Sequence, residues 1–205
     1  MKKIENTELK MQNLRKKYNL PDKFALYVGD ITWNKNLPRL IQAIQKTNIP
    51  LVLVGKAITE KKFDAANPWN SDRVAVYRLL EQDIKKQIHC VGFVHDEDLV
   101  VFYNSATVFV MPSLYEGFGL PVLEAMQCGC PVVTSDEGSL AEVAGSAAYF
   151  IDAYSSGSIA NGITKVFHDE KLREKLSEEG LINAKKFSWK KTAEETLQVY
   201  QSGVK

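Results

Sequence analysis

The sequence predicts a doubly wound α/β domain built on a parallel six-stranded sheet. Three observations lead there. Six short apolar runs alternate with stretches of helical periodicity. The runs are continuous rather than alternating in polarity, as strands covered on both faces require. The chain's 205 residues, 45% apolar and 25% charged, suit one globular domain with at most an appendage.

The elements follow in order. Residues 1 to 20 are charged but set Met11, Leu14 and Tyr18 at helical spacing before Pro21, which predicts a lead-in helix. FALYVGD (24 to 30) reads as a strand closed by Gly29, and Leu37, Leu40, Ile41 and Ile44 mark one helical face within residues 35 to 46. The pattern returns as PLVLVG (50 to 55), a polar loop through NPWN, a helix near 71 to 86, IHCVGFV (88 to 94) and a helix near 96 to 104. ATVFVMPS (106 to 113), a helix from about 119 to 128, CPVVTS (130 to 135), a short helix around SLAEVAG and the strand AAYFI (147 to 151) complete the alternation. Residues 169 to 186 then hold ten charges over a thin stripe of Leu172, Leu176 and Leu181, the pattern of a solvated surface helix. Residues 188 to 200 align Trp189, Ala193, Leu197 and Tyr200 on one face in need of a packing partner. The expected division is a lead-in helix (1 to 20), a main domain (21 to 187) and a closing helix with its tail (188 to 205).

Twenty-six basic against twenty-five acidic side chains give a net charge of +1, which argues against sequence-independent nucleic-acid binding. Cys90, Cys128 and Cys130 cannot form a disulfide framework or a four-ligand zinc site, and read as reduced thiols of a cytoplasmic protein. No apolar run reaches eighteen residues and the first twenty carry no apolar segment of signal-peptide length, so neither a spanning helix nor an export signal is expected.

The most informative feature is a silence in the charge pattern. From Leu99 to Ser135, thirty-seven residues, the only Asp, Glu, Lys or Arg side chains are Glu116 and Glu124, where average composition would place about nine. A carboxylate in low-dielectric surroundings is costly unless donors meet it, so two survivors suggest a task. Pro121 suits a first helical turn and Gly129 a helix end, which puts Glu116 in the loop before the helix and Glu124 on its first or second turn. The competing reading has Glu116 capping the helix and Glu124 on an exposed face.

In EGFGL, Gly117 and Gly119 flank Phe118 and let backbone amides approach a ligand at a helix N-terminus, an arrangement suited to phosphate. Carboxylates suit hydroxyls instead. A ligand with a diphosphate at its centre and diols at both ends is a nucleotide sugar. Gly29 with Lys35 adds a glycine turn and a cation near a helix start. Taken alone, such a lysine is more often merely solvated.

With these residues in view, the run YEGFGLPVLEAMQCGCPVVTS and its E-x7-E pair resemble the signature of the family-4 ("group 1") retaining glycosyltransferases of GT-B fold. YVGDITWNKNLPRLIQAI, LVLVG, VGFVHDEDLVVFYNSATVFVMPS and FSWKKTAEETLQVY support it in order, over roughly residues 14 to 201. The resemblance implies a Rossmann-like half of a GT-B enzyme that binds a UDP or GDP sugar and transfers a hexosyl group. Glu116 would meet donor-sugar hydroxyls at the reacting centre, and Glu124 the ribose diol. Gly117, Phe118, Gly119 and Leu120 would face sugar and diphosphate, with Gly29 and Lys35 at the phosphate. Gly92, Phe93 and Val94 would lie near the base. No cofactor and no obligatory metal are implied.

Two departures from the family pattern stand out. Asp30 occupies the position where many members carry a phosphate-clamping arginine, which reduces the positive charge of the site. The resemblance also covers only the C-terminal half of the family enzyme, so the chain is expected to need an N-terminal domain or partner subunit and to be inactive alone. Any peripheral membrane association would come through that missing half. The rival expectations are a non-catalytic nucleotide-sugar-binding subunit and, further off, a GT-B epimerase or phosphorylase. DED at 96 to 98 is expected to cap a helix rather than bind metal, and His89, His95 and His168 to be structural.

Overall fold

The computed structural model describes residues 7–81 and 87–203. Helix α1 (Thr7–Tyr18) leads into strand β1 (Ala25–Val28), a short 3-10 turn (Trp33–Lys35) and α2 (Leu37–Ile44). Strand β2 (Leu51–Val54), α3 (Lys56–Thr59), a second 3-10 turn (Pro68–Asn70), α4 (Ser71–Leu80) and β3 (Ile88–Gly92) follow. The second half runs α5 (Asp96–Ser105), β4 (Val108–Met111), α6 (Leu120–Gln127), β5 (Val132–Ser135), α7 (Leu140–Ala144) and β6 (Tyr149–Ile151). Three helices close the described chain: α8 (Ser156–His168), α9 (Glu170–Ala184) and α10 (Trp189–Gly203).

The strands form one sheet in the order β3-β2-β1-β4-β5-β6, every pair parallel. Ala25 lies between Leu51 on one side and Val108 on the other, so β1 and β4 are the central pair. The chain winds outward from β1 toward β3 and from β4 toward β6, which makes the carboxyl ends of β1 and β4 the topological switch point. Residues in β1, β2, β4 and β5 are buried almost throughout, and their apolar side chains feed two cores, one on each face. On one face lie Leu40, Ile41, Ile44, Ile159 and Ile163, and on the other Phe102, Tyr103, Val122 and Met126. Continuous apolar strands are the consequence of that double cover.

The anticipated elements are present with shifted ends, α5 and α10 running on to Ser105 and Gly203; residues 1 to 6 of the expected lead-in helix and 204 to 205 of the tail lie outside the described part. The anticipated helix near 71 to 86 is described over Ser71–Leu80, and residues 82 to 86 lie outside the described part. Two helices go beyond the sequence expectation, α3 inside what read as a polar loop and α8 between β6 and the charged segment. The charged helix α9 is also more than a solvated surface element. Leu176, Gly180, Asn183 and Ala184 are buried, Ser177 Oγ donates to the Gly129 carbonyl at 2.7 Å, and Asn183 Nδ2 donates to that of Val143 at 2.8 Å. Helix α10 buries no residue: Trp189 is 76% and Tyr200 70% exposed. No helix among the described residues is long and apolar enough to cross a membrane.

Candidate functional site

The loops leaving β1 and β4 are stitched together across the switch point. Leu114 N donates to the Asn34 carbonyl at 2.7 Å, and Asn34 Nδ2 donates to the Tyr115 carbonyl at 3.1 Å. Asn36 is buried in the left-handed region at φ 57°, and its Nδ2 donates both to Pro112 O (2.9 Å) and to Ala153 O (2.7 Å). One amide thereby ties the loops after β1, β4 and β6 into a single rim.

On that rim Lys35 and Glu116 meet. Lys35 Nζ lies 2.8 Å from Glu116 Oε1 and 3.0 Å from Oε2, with the side chains 18% and 9% exposed. The main chain of Glu116 is held separately, its carbonyl accepting from Ser139 Oγ (3.0 Å) and Ser139 N (3.3 Å). Gly138, at φ +60°, passes so close that a Cβ there would lie 2.8 Å from Glu116 O. Beneath them the buried Tyr27 hydroxyl donates to Asp30 O at 2.9 Å, and its pKa is driven far upward by burial first, then by the charges of Glu116 and Asp30. Ser113 Oγ, fully buried beside this loop, has no partner among the described residues.

Glu116 is followed by the turn that opens α6. Gly119, at φ +97°, is its N-cap and Pro121 lies in its first turn. Gly119 has no room for a Cβ, which would come 2.7 Å from Leu140 Cδ2, whereas a Cβ on Gly117 would meet nothing within 4 Å. The space beside Gly117 is therefore open. Glu124, in the second turn of α6, accepts from Tyr103 Oη at 2.9 Å. It lines a cleft of about 280 Å³ with Phe118, Leu120, Phe187 and Trp189. Phe118 and Phe187 stand edge to face across it, ring centroids 6.0 Å apart.

On the other side of β1, three glycines end three adjacent strands. Gly29 N donates to Val54 O and Gly55 N to Gly92 O, each at 2.9 Å. Gly29 also faces the Tyr27 hydroxyl, which a Cβ would approach to 2.9 Å, and a Cβ on Gly55 would collide with Gly29 O. Gly92 has φ +81°. Beyond it Phe93 is 67% exposed and edge-on to His95, while Val94 is buried in the core, so of this pair Phe93 is the residue open to a ligand.

Asp30, where the resemblance led an arginine to be expected, has a structural task. Its Oδ1 accepts from Ile31 N (3.0 Å) and Ala57 N (3.1 Å), so it pins the β1 loop to the start of α3. The DED acids all lie in the first turn of α5, where they complement the helix dipole, but none of them is its N-cap. His95 is the N-cap of α5, and Asp98 accepts from Lys17 Nζ (2.7 Å) and Tyr18 Oη (2.8 Å), fastening α1 to α5. Among the described residues no group of His, Cys, Asp or Glu is placed to hold a metal ion. The cysteines are free, with Cys128 pushed up to about 11 and Cys130 higher, both mainly by burial.

Sequence reasoning therefore singled out Lys35, Glu116 and the 117 to 120 turn, which the fold brings to one place, and Glu124, which it sets one turn further along α6. It missed Asn36, Tyr103, Gly138 and Ser139, whose roles depend on contacts across the chain.

Residues 10–182 match the family described as glycosyl transferases group 1. The chain belongs to that family. This group 1 domain is 37% identical over 185 residues to the O-antigen chain mannosyltransferase B of Escherichia coli, covering 87% of the chain and 45% of the relative. It spans less than half the length of that enzyme. Among solved structures it matches the C-terminal domain of a glycosyl transferase group 1 protein, LpcC, from Francisella tularensis, with TM-score 0.68, 27% identity and 90% and 94% of the two chains covered. It also superposes on the Anabaena protein HepE in complex with UDP-glucose, with TM-score 0.81 over 95% of this chain and 53% of that one; at 18% identity this speaks to the fold alone. The group 1 domain is thus a Rossmann-like, GT-B-type α/β sheet related to mannosyltransferases.

Proposed function

We propose that this domain binds the nucleoside-diphosphate sugar of a family-4 retaining glycosyltransferase, presenting a hexosyl group for transfer to an acceptor held mainly by another domain. The observation that carries the reading is the Lys35–Glu116 pair at the β1/β4 switch point, directly before the open glycine turn at the start of α6. A diphosphate placed there meets the Lys35 ammonium and the amides of Gly117 to Leu120, whose helix end favours negative charge. Charge that develops on the departing nucleotide is stabilised by the same groups, without an obligatory metal. Glu116 accepts from sugar hydroxyls, and Glu124, held by Tyr103, accepts from the ribose diol. Phe93, exposed at the end of β3, offers a face to the base. The mannosyltransferase relative, 37% identical, supports a hexosyl donor as the ligand class.

The test is calorimetric titration with UDP, GDP and their glucose and mannose derivatives, in the presence and absence of EDTA. Binding of one nucleotide sugar, unaffected by EDTA and lost in Glu124→Ala, is the expected result. No binding by the folded chain would overturn the reading. Helix α10, with no buried residue, favours a second reading in which the domain binds donor yet transfers nothing until a second domain or subunit covers it. Transfer by the purified chain alone would exclude that version.

A further inference from the structure

We infer that the Lys35–Glu116 pair makes the site discriminate between the sugar-bearing donor and the nucleoside diphosphate left after transfer, disfavouring the product. The inference rests on the donor-binding reading above and extends it to product release.

The pair is nearly closed. Lys35 Nζ lies within hydrogen-bond distance of both oxygens of one carboxylate, and Glu116 is only 9% exposed. Among the described residues, Lys35 is the side chain that satisfies that carboxylate. Withdrawing one partner from a buried ion pair is far more costly than exchanging it for an equivalent one, because the remaining charge is left without compensation. Three side chains around Glu116 already have other partners. Asp30 is committed through Oδ1 to two backbone amides, the Tyr27 hydroxyl is turned to the Asp30 carbonyl, and Ser139 bonds the main chain of Glu116 rather than its carboxylate.

The two ligands meet this pair differently. A nucleoside diphosphate competes for Lys35 and brings negative charge toward Glu116, but offers no hydroxyl beyond its phosphates to replace the ammonium. A nucleotide sugar supplies both replacements at once, phosphate for Lys35 and sugar hydroxyls for Glu116. Exchange of partners is then complete only with the donor. Once the sugar has left, Glu116 reclaims Lys35 and the nucleoside diphosphate loses its cation. Lys35 and Glu116 are thus a specificity device in addition to their direct contacts.

The experiment compares dissociation constants of UDP with UDP-glucose, and of GDP with GDP-mannose, for the full chain and for Glu116→Gln. Glutamine keeps the shape and removes the charge. The nucleoside diphosphate is expected to bind more tightly to the variant, and the preference for the sugar-bearing form to fall by about tenfold, the worth of one charge-assisted hydrogen bond. A preference unchanged or increased, with the donor still bound, overturns the inference and leaves donor binding intact. Absence of nucleotide binding by folded chain overturns both. If Glu116→Gln does not fold, the unmodified chain decides: free glucose or mannose should tighten UDP or GDP binding, since hydroxyls delivered separately complete the same exchange. A nucleoside diphosphate affinity indifferent to saturating free sugar would sink the proposal.

Discussion

The Tyr103 hydroxyl donates to Glu124 Oε2 at 2.9 Å, fixing the α6 carboxylate from the neighbouring helix α5. Tyr103 is fully buried and its ring stands edge to face with Phe109, centroids 5.5 Å apart. Burial, reinforced by the charge of Glu124, raises its pKa far above the usual tyrosine value, so it remains a donor through any working pH. Tyr103→Phe keeps the ring and removes the donor. It should cost about 1 kcal/mol in urea unfolding and weaken nucleotide binding severalfold. Unchanged binding in Tyr103→Phe alongside its loss in Glu124→Ala would show that the hydroxyl does not position the carboxylate.

Gly117 and Gly138 separate a ligand's requirement from the fold's. A Cβ on Gly117 meets nothing within 4 Å, so Gly117→Ala should change stability by less than about 0.5 kcal/mol. If its amide faces phosphate, the added methyl should still weaken nucleotide binding. Gly138→Ala places a methyl in the left-handed region and against the Glu116 backbone, and should cost roughly 2 kcal/mol or more while disturbing the site. Thermal melts and titrations of both variants check the contrast; equal stability losses would contradict it.

The legibility of this molecule in its sequence divides along sequence separation. Glu116 and Glu124 stand out because burial had removed other charges from their segment, a local pattern. The order of strands and helices is likewise written in continuous apolar runs. Helix α3 could not be read because its first turn is organised by Asp30, twenty-seven residues before Ala57. Helix α8 contains Gly157 and Gly162, which lower its intrinsic propensity. Gly162 is there because a Cβ would come within 2.3 Å of Ile151 Cγ2, so packing on β6 overrides propensity. Asp98 looked like a cap because its partners, Lys17 and Tyr18, lie eighty residues away.

Asn36 should be the least replaceable polar residue of the rim. Its side chain satisfies two buried carbonyls, Pro112 O and Ala153 O, and accepts from Arg39 at 2.9 Å, while its backbone holds φ 57°. Asn36→Ala strands those carbonyls and strains the backbone, for an expected loss of about 3 kcal/mol. Asn36→Gly loses the same bonds without the strain and should recover about 1 kcal/mol of it. Denaturant titration of the two variants separates the terms. Equal losses would mean that the left-handed backbone contributes nothing.

Asp98 gives the fold an acid-sensitive joint between α1 and α5. Its pKa lies below the ordinary 3.8, chiefly because Lys17 bonds its carboxylate, with Tyr18 adding to the effect against the opposing pull of burial. A carboxyl whose folded pKa is depressed releases protons on folding, so its contribution is fully present above the unfolded value near 4 and is lost as pH falls through the folded value. The unfolded state binds more protons in that window, and stability must therefore rise with pH across it. Asp98→Asn removes the titrating group while retaining an acceptor for Tyr18. The variant should be less stable than the parent at pH 7 and should show a shallower decline between pH 4 and the folded pKa. Parallel acid limbs for parent and variant in pH-dependent thermal melts would place the acid sensitivity elsewhere in the molecule.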